Sequence, residues 1–329
     1  MHILIIGAAG MIGRKLTEQL VAQGRLGPTA IERLTLADIV VPQPPAGFAG
    51  AAECVAADLS QPATASQLLS GRPDVVFHLA AIVSGEAEAH FEKGYAINLD
   101  GTRHLLEAIR LAHAQDAYRP RLIFTSSIAV FGAPFPDAID DEFLTAPLTS
   151  YGTQKAVAEL LLSDYTRKGF LDGIGIRLPT ICIRPGKPNL AASGFFSNIL
   201  REPLVGQEAV LPVSRDLRHW FASPRTAVGF LLHAGALDLA RIGPRRCLNM
   251  PGLSATVGDE IEALKRVAGE QAVKLIRCEP DETIIRIVSG WAQNFQPQRA
   301  LALGFKADAS FDDIIRSHID DELGGHIGP

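Results

Sequence analysis

His2-Ile3-Leu4-Ile5-Ile6-Gly7-Ala8-Ala9-Gly10-Met11-Ile12-Gly13 opens the chain with a short apolar run that breaks into three glycines. The run reads as a buried strand, and the glycine motif from Gly7 to Gly13 that follows it opens the first helix. Between them the glycines permit a tight turn and close backbone approach, so a diphosphate can rest on the helix N-terminus. The spacing is GxxGxxG rather than GxGxxG, and alone it is a weak signal, because glycine turns at strand–helix junctions are common. The apolar run is too short for a signal-peptide core or a membrane span, so the expectation is a cytoplasmic protein with no membrane partner.

Outward from that turn, strand-like runs recur at Leu34 to Ile39, Cys54 to Ala57, Asp74 to Leu79 and Arg121 to Ser126, separated by helix-like segments. This alternation predicts an α/β fold with a Rossmann-type, doubly wound parallel sheet. The Pro/Gly-rich stretch from Val41 to Gly47 is a surface connection within that domain. A helix is predicted from Tyr151 to about Lys168 and a sixth strand from Gly173 to Leu178, after which the composition changes. We therefore expect a nucleotide-binding domain over 1–180 and a smaller substrate-binding part over 181–329, with some segments returning to the sheet. Ligands bind beyond the carboxyl ends of parallel strands, so the expected active site is a cleft between these parts.

With 329 residues, 47% of them apolar, the chain can bury a large core. The net charge of −5 and the scatter of Lys and Arg leave no basic stripe, which sets nucleic acid aside as a partner. Cys54, Cys182, Cys247 and Cys278 lie far apart with no CxxC pair; we expect reduced, mostly buried thiols and no metal site.

Several residues carry candidate chemistry. Asp38 ends the second strand, where a carboxylate accepts hydrogen bonds from ribose hydroxyls and repels a 2′-phosphate; this favours NAD over NADP. The plainer alternative is a solvated strand end. Asp58-Leu59 fits an adenine-edge contact, or else a helix cap competing with Ser60. Tyr151-Gly152-Thr153-Gln154-Lys155 sets a phenol and an ammonium four residues apart on one helix face. A fixed cation beside a phenol favours phenolate and makes it a usable base. Thr125-Ser126-Ser127 closes the fifth strand, where a hydroxyl can orient the reacting oxygen. His78-Leu79-Ala80-Ala81 closes the fourth strand with small residues that allow close cofactor approach. Asn98, within Asn98-Leu99-Asp100-Gly101-Thr102, interrupts the next helix pattern and can hold a helix carbonyl and a water connected to Lys155.

Taken in order and spacing, these motifs resemble the extended short-chain dehydrogenase/reductase family across nearly all of the N-terminal half. The resemblance implies NAD as cofactor and Asn98, Ser127, Tyr151 and Lys155 as a catalytic tetrad. It also implies that Lys155 binds the nicotinamide ribose and that Gly7, Gly10, Met11, Ile12, Gly13, Leu79, Ala80 and Ala81 line the nucleotide. Ser127 is the match because it lies four residues before Phe131, where the family usually has tyrosine.

Nucleotide-sugar members usually carry an Asn where this chain has Thr180, and Asp where it has His219 and Arg225. What replaces them is cationic: Arg184, Lys187, Arg218 and Arg225 suit a small anionic substrate, since a guanidinium can bind a carboxylate bidentately. The alternative for each is a surface cation or a salt-bridge partner. The run from Arg177 to Ser197 resembles the group within the family that oxidises C2 of the four-carbon sugar acid D-erythronate. That resemblance implies oxidation at C2 with Tyr151 as base. Ser84, Asn189 and Ser193 are cleft candidates for substrate hydroxyls, and the alternative for each is a loop hydroxyl or amide serving its own turn. Two readings stand beside it: a nucleotide-sugar epimerase or dehydratase with tightly held NAD, and a non-catalytic nucleotide sensor. Family members commonly dimerise through two helices, for which Phe91 to Ala114 and Tyr151 to Lys168 are long enough. Phe311 to Ile327 reads as an amphipathic helix.

Overall fold

The computed structural model describes residues 1–186 and 193–328, so Lys187 and Asn189 lie outside the described residues. The chain divides into two compact units: 1–130, 147–177 and 228–248 form the first, and 131–146, 178–227 and 249–329 the second. The division therefore falls at several points rather than at 180. Residues 131–146, expected in the first domain, group with the second unit, and 228–248 return to the first.

The first unit is built on a seven-stranded sheet. Its strands are β1 (His2–Ile6), β2 (Arg33–Asp38), β3 (Ala51–Ala56), β4 (Val75–His78), β5 (Arg121–Ser127), β6 (Asp172–Leu178) and β7 (Cys247–Asn249), in the spatial order β7-β6-β5-β4-β1-β2-β3. Pairing is parallel from β3 through β2, β1 and β4 to β5. All four residues of β4 and the last four of β1 are buried, as expected for strands covered on both faces. Leu4, Ile6 and Val76 pack with Leu105, Leu106 and Ile109 in one core. Burying each such side chain contributes roughly 1.5–3 kcal/mol.

Helix α1 (Met11–Gln23) follows β1 and stops at Gly24, whose left-handed φ of 63° lets its N–H reach back to Leu20 and Val21 carbonyls. Because β2 lies on one side of β1 and β4 on the other, the chain reverses its direction of travel across the sheet at β1. That switch point puts the loops after β1, β2 and β4 together at the carboxyl ends of the strands. Phe91 to Asp116 runs helically, but Tyr95–Asp100 forms a wider π-turn before α2 (Gly101–Asp116). The expected interruption at Asn98 is thus a widened turn rather than a break.

In the second unit Arg218–Ala222 pairs antiparallel with Leu253–Thr256 and parallel with Thr180–Ile181. A separate core gathers Phe195, Phe196, Phe221, Ile261, Leu264 and Ile315. The last helix is Phe311–Glu322, capped by Ser310; Gly324 and Gly325 follow with positive φ, so it ends short of the expected Ile327. Of the four thiols only Cys182 is buried, Cys54 and Cys247 are half-buried and Cys278 is exposed, fewer buried than expected.

Candidate active site

The glycine turn is shaped by what a side chain would strike. A Cβ on Gly13 would lie 2.1 Å from the Gly7 carbonyl oxygen, and one on Gly7 would lie 2.7 Å from the Ala80 nitrogen. Gly7 also has φ +95°, a conformation open chiefly to glycine. By contrast, a Cβ on Gly10 would meet nothing closer than 3.4 Å, and no side chain caps the start of α1. The turn is thus closed beneath and open above the helix N-terminus, where Met11 and Ile12 are half-buried. An incoming diphosphate fits that opening.

Asp38 stands at the edge of this turn. Its Oδ2 accepts the Ala9 N–H at 2.9 Å and its Oδ1 accepts the Ile39 N–H at 2.7 Å. Each carboxylate oxygen keeps a lone pair for a ribose hydroxyl. Leu79 and Ala80 both donate their N–H groups to the Ile6 carbonyl, which ties the end of β4 to the end of β1, and Ala81 is exposed just beyond. Asp58 Oδ1 accepts the Ser60 N–H in a local turn; the helix that follows is capped at Gln61 without a side-chain bond, so Asp58 is not its cap. Leu59 is buried, with its carbonyl bonded to His104 Nδ1.

Helix α3 (Ser150–Arg167) carries Tyr151 and Lys155, and Thr149 caps it by accepting the Gly152 N–H. A Cβ at Gly152 would lie 2.1 Å from the Ala129 carbonyl oxygen. The missing side chain therefore lets the first turn of α3 lie directly on the turn Ile128–Val130, one residue beyond Ser127. Ser127 Oγ accepts the Ala129 N–H at 3.1 Å, which orients its hydroxyl oxygen.

Lys155 is 1% exposed; its Nζ donates to the Thr125 carbonyl at 2.8 Å and stands 5.7 Å from the centre of the Tyr151 ring. Burial pulls its pKa down to about 7, outweighing the opposing pull of the Glu159 carboxylate. Glu159 is itself held by Ser126 and, through both carboxylate oxygens, by the Arg177 guanidinium. Asn98 Oδ1 accepts the Ile82 N–H, while its Nδ2 donates to the Ile82 carbonyl and to Gln154 Oε1. The expected grip of Asn98 on a helix carbonyl is therefore a grip on the loop after β4. Ser84 begins the short helix Ser84–Ala89 and is half-buried.

In the second unit, Thr180 Oγ1 lies 2.6 Å from Nε2 of His219. His219 is buried and stacked on Phe196, and burial lowers its pKa to about 3, so the ring is neutral. Arg184 is half-buried; its N–H donates to Ser197 Oγ and its carbonyl accepts from Arg201. Arg218 is exposed and donates to the Ser254 carbonyl. Ser193 is half-buried and precedes the helix Gly194–Leu204 without capping it. Arg225 pairs with Asp321 at 2.6 Å and Asp320 at 3.6 Å on the surface, so for this cation the salt-bridge alternative applies. Sequence reasoning left out His78, Gln154, Glu159 and Arg177 as site components, although Gln154 and Glu159 follow the tyrosine at helical spacing.

A family model, the NAD dependent epimerase/dehydratase family, matches residues 3–222. The chain belongs to that family. As a member of the NAD dependent epimerase/dehydratase family it is an oxidoreductase with NAD as cofactor, and the open glycine turn and Asp38 fit that nucleotide. It is 47% identical to a D-erythronate dehydrogenase from Cupriavidus necator, over 98% of both chains. A D-erythronate dehydrogenase from Haemophilus influenzae is 42% identical over 98% of this chain and 100% of that one. A crystal structure of a protein from Agrobacterium tumefaciens, described as a nucleoside-diphosphate-sugar epimerase, is 68% identical, with a TM-score of 0.97 over 99% of this chain and 95% of the other. Two different activities are thus named among close members of the epimerase/dehydratase family.

Proposed function

We propose that this enzyme oxidises the C2 hydroxyl of D-erythronate to 2-dehydro-D-erythronate. The observation that carries the acid–base part of this reading is the close seating of α3 on the Ser127 turn through Gly152, beside the buried Lys155; the substrate rests on the D-erythronate dehydrogenase relatives. Tyr151 takes the C2 hydroxyl proton, Ser127 holds the reacting oxygen, and Lys155 favours the phenolate and binds the nicotinamide ribose. Asn98 steadies the loop that carries Leu79, Ala80 and Ala81 against the cofactor. Bound NAD supplies the acceptor for the hydride leaving C2. Arg184 and Arg218 are the proposed carboxylate ligands, with Ser84, Thr180 and Ser193 as proposed contacts to the remaining oxygens. The substrate assignment is supported by the two D-erythronate dehydrogenases at 42–47% identity.

The Agrobacterium relative's description favours a second reading, a nucleotide-sugar epimerase that regenerates its NAD internally. Against it, Thr180 and His219 stand where nucleotide-sugar members carry Asn and Asp, and Arg225, at a second such Asp position, is committed to Asp321. The deciding assay follows NADH by its near-ultraviolet absorbance with D-erythronate, its stereoisomers and UDP-galactose. Steady NADH formation with D-erythronate supports the dehydrogenase; epimerised UDP-sugar without net NADH establishes the rival.

We further propose that the enzyme is a cytoplasmic homodimer. Among the described residues no helix is long and apolar enough to cross a membrane. Leu111 on α2 and Leu160 on α3 are 47% and 70% exposed, apolar surface on the two helices that family dimers use. Light scattering that returns a monomer mass would refute the pairing.

A further inference from the structure

Six buried residues form a circuit around the end of β4, linked by five hydrogen bonds of which three are accepted by backbone carbonyls. Lys155 Nζ donates to the Thr125 carbonyl at 2.8 Å, and Thr125 Oγ1 donates to the His78 carbonyl at 3.1 Å. His78 Nε2 lies 2.9 Å from Thr102 Oγ1, which donates to the Asn98 carbonyl at 2.8 Å. Asn98 Nδ2 donates to Gln154 Oε1 at 2.8 Å, and the peptide bond from Gln154 to Lys155 closes the circuit. None of the six is more than 8% exposed, and Gln154 is wholly buried.

A count of hydrogens fixes the direction. Thr102 has one hydroxyl hydrogen and gives it to Asn98, so its oxygen receives a hydrogen from His78 Nε2. His78 Nδ1 is then a bare acceptor, and it is buried without a hydrogen-bond partner. Burial holds the ring neutral, with its pKa lowered to about 3. The donors all point the same way round, and at Thr102, whose one hydroxyl both accepts and donates, the bond from His78 strengthens the bond to Asn98. Gln154 Nε2 also lacks a partner, and a Cβ on Gly94 would come within 2.6 Å of it. Glycine at 94 therefore makes room for the carboxamide, and the carboxamide is held by its oxygen alone.

We propose that His78 and Gln154 are positioning residues that lock Lys155 and Asn98 into one register, and through Asn98's two bonds to Ile82 lock the loop Leu79–Val83. The inference rests on the assignment of Lys155 to the nicotinamide ribose. It does not depend on which alcohol is oxidised. His78 and Gln154 touch neither substrate nor cofactor; they act through the groups they hold.

The test uses two variants that delete a polar link at similar volume, Gln154→Met and His78→Phe, and two that restore one, Gln154→Glu and His78→Gln. NAD affinity is measured by calorimetry on the full chain, alongside kcat, KM for D-erythronate and thermal melting. The deletions should weaken NAD binding by about tenfold and lower kcat, as expected when a buried partner is left unpaired, with KM for the acid little changed. The restoring variants should recover most of the affinity. If a deletion prevents folding, Thr102→Val breaks the same circuit between His78 and Asn98 and should give the same loss. Folded deletions that bind NAD within about twofold of the parent, or restoring variants as impaired as the deletions, overturn the proposal. A parent enzyme silent with D-erythronate removes the substrate assignment, while the NAD measurement still decides this one.

Discussion

Replacing Gly152 by alanine should separate catalysis from cofactor binding. The added Cβ would stand 2.1 Å from the Ala129 oxygen and 2.9 Å from Pro147 Cβ, against a closest approach of 3.0 Å for real Cβ atoms. The first contact alone demands 3.0 − 2.1 = 0.9 Å of backbone separation. Neither neighbour is a flexible side-chain tip, so the start of α3 must lift from the Ser127 turn or the turn must retreat. Overpacking of this kind costs about 1–3 kcal/mol of stability. Because Tyr151 precedes the lifted residue, its hydroxyl should shift by a comparable distance from Ser127, and a misplacement near 1 Å costs on the order of 100-fold in turnover. The glycine turn and Asp38 lie on other elements and Lys155 sits a turn further along α3, so NAD affinity should fall less than turnover. Steady-state NADH formation, NAD calorimetry and urea unfolding measure the three quantities. A Gly152→Ala enzyme within about twofold of parental kcat refutes the account of how the two residues are held.

Tyr151→Phe should bind NAD normally yet lose turnover by at least about 100-fold, and retention of most activity removes it as the base. Asp38→Ala should weaken NAD more than NADP in calorimetric titrations; an unchanged preference takes Asp38 away from the ribose. Glu260 is wholly buried, neither oxygen has a hydrogen-bond partner, and burial followed by the charge of Asp259 raises its pKa well above the usual carboxyl value. The folded state therefore holds a proton that the unfolded state releases near pH ~4.3, so stability falls as pH rises above that value toward the folded pKa, by up to about 1.4 kcal/mol per unit. Glu260→Gln should flatten this decline in urea unfolding from acid to neutral pH; a parallel curve refutes it. Arg184→Ala or Arg218→Ala should raise KM for the acid more than KM for NAD, and if neither does the carboxylate ligand is elsewhere.

Sequence reading succeeded where the cause was local. The strand from His2 to Ile6, its glycine turn, Asp38 at a strand end and the Tyr151–Lys155 spacing are each decided within a few residues. What escaped it depends on partners far along the chain. Whether Arg225 is a substrate-binding cation or a salt-bridge partner stays open in the sequence until Asp321, 96 residues on, is seen beside it. Gln154 reads as a spacer between tyrosine and lysine, because nothing nearby announces Asn98, 56 residues earlier. The grouping of 131–146 with the second unit reflects contacts such as Phe131 with Phe295, and periodicity carries no trace of them.

The return of β7 to the edge of the sheet bears on how the chain is made. Gly175 of β6 bonds to Arg246, so this margin of the sheet is finished only after some seventy further residues have left the ribosome. During that interval β6 presents an open strand edge, the kind of surface on which chains aggregate. Neither unit can be excised with a single cut, because each is assembled from three separate stretches of polypeptide.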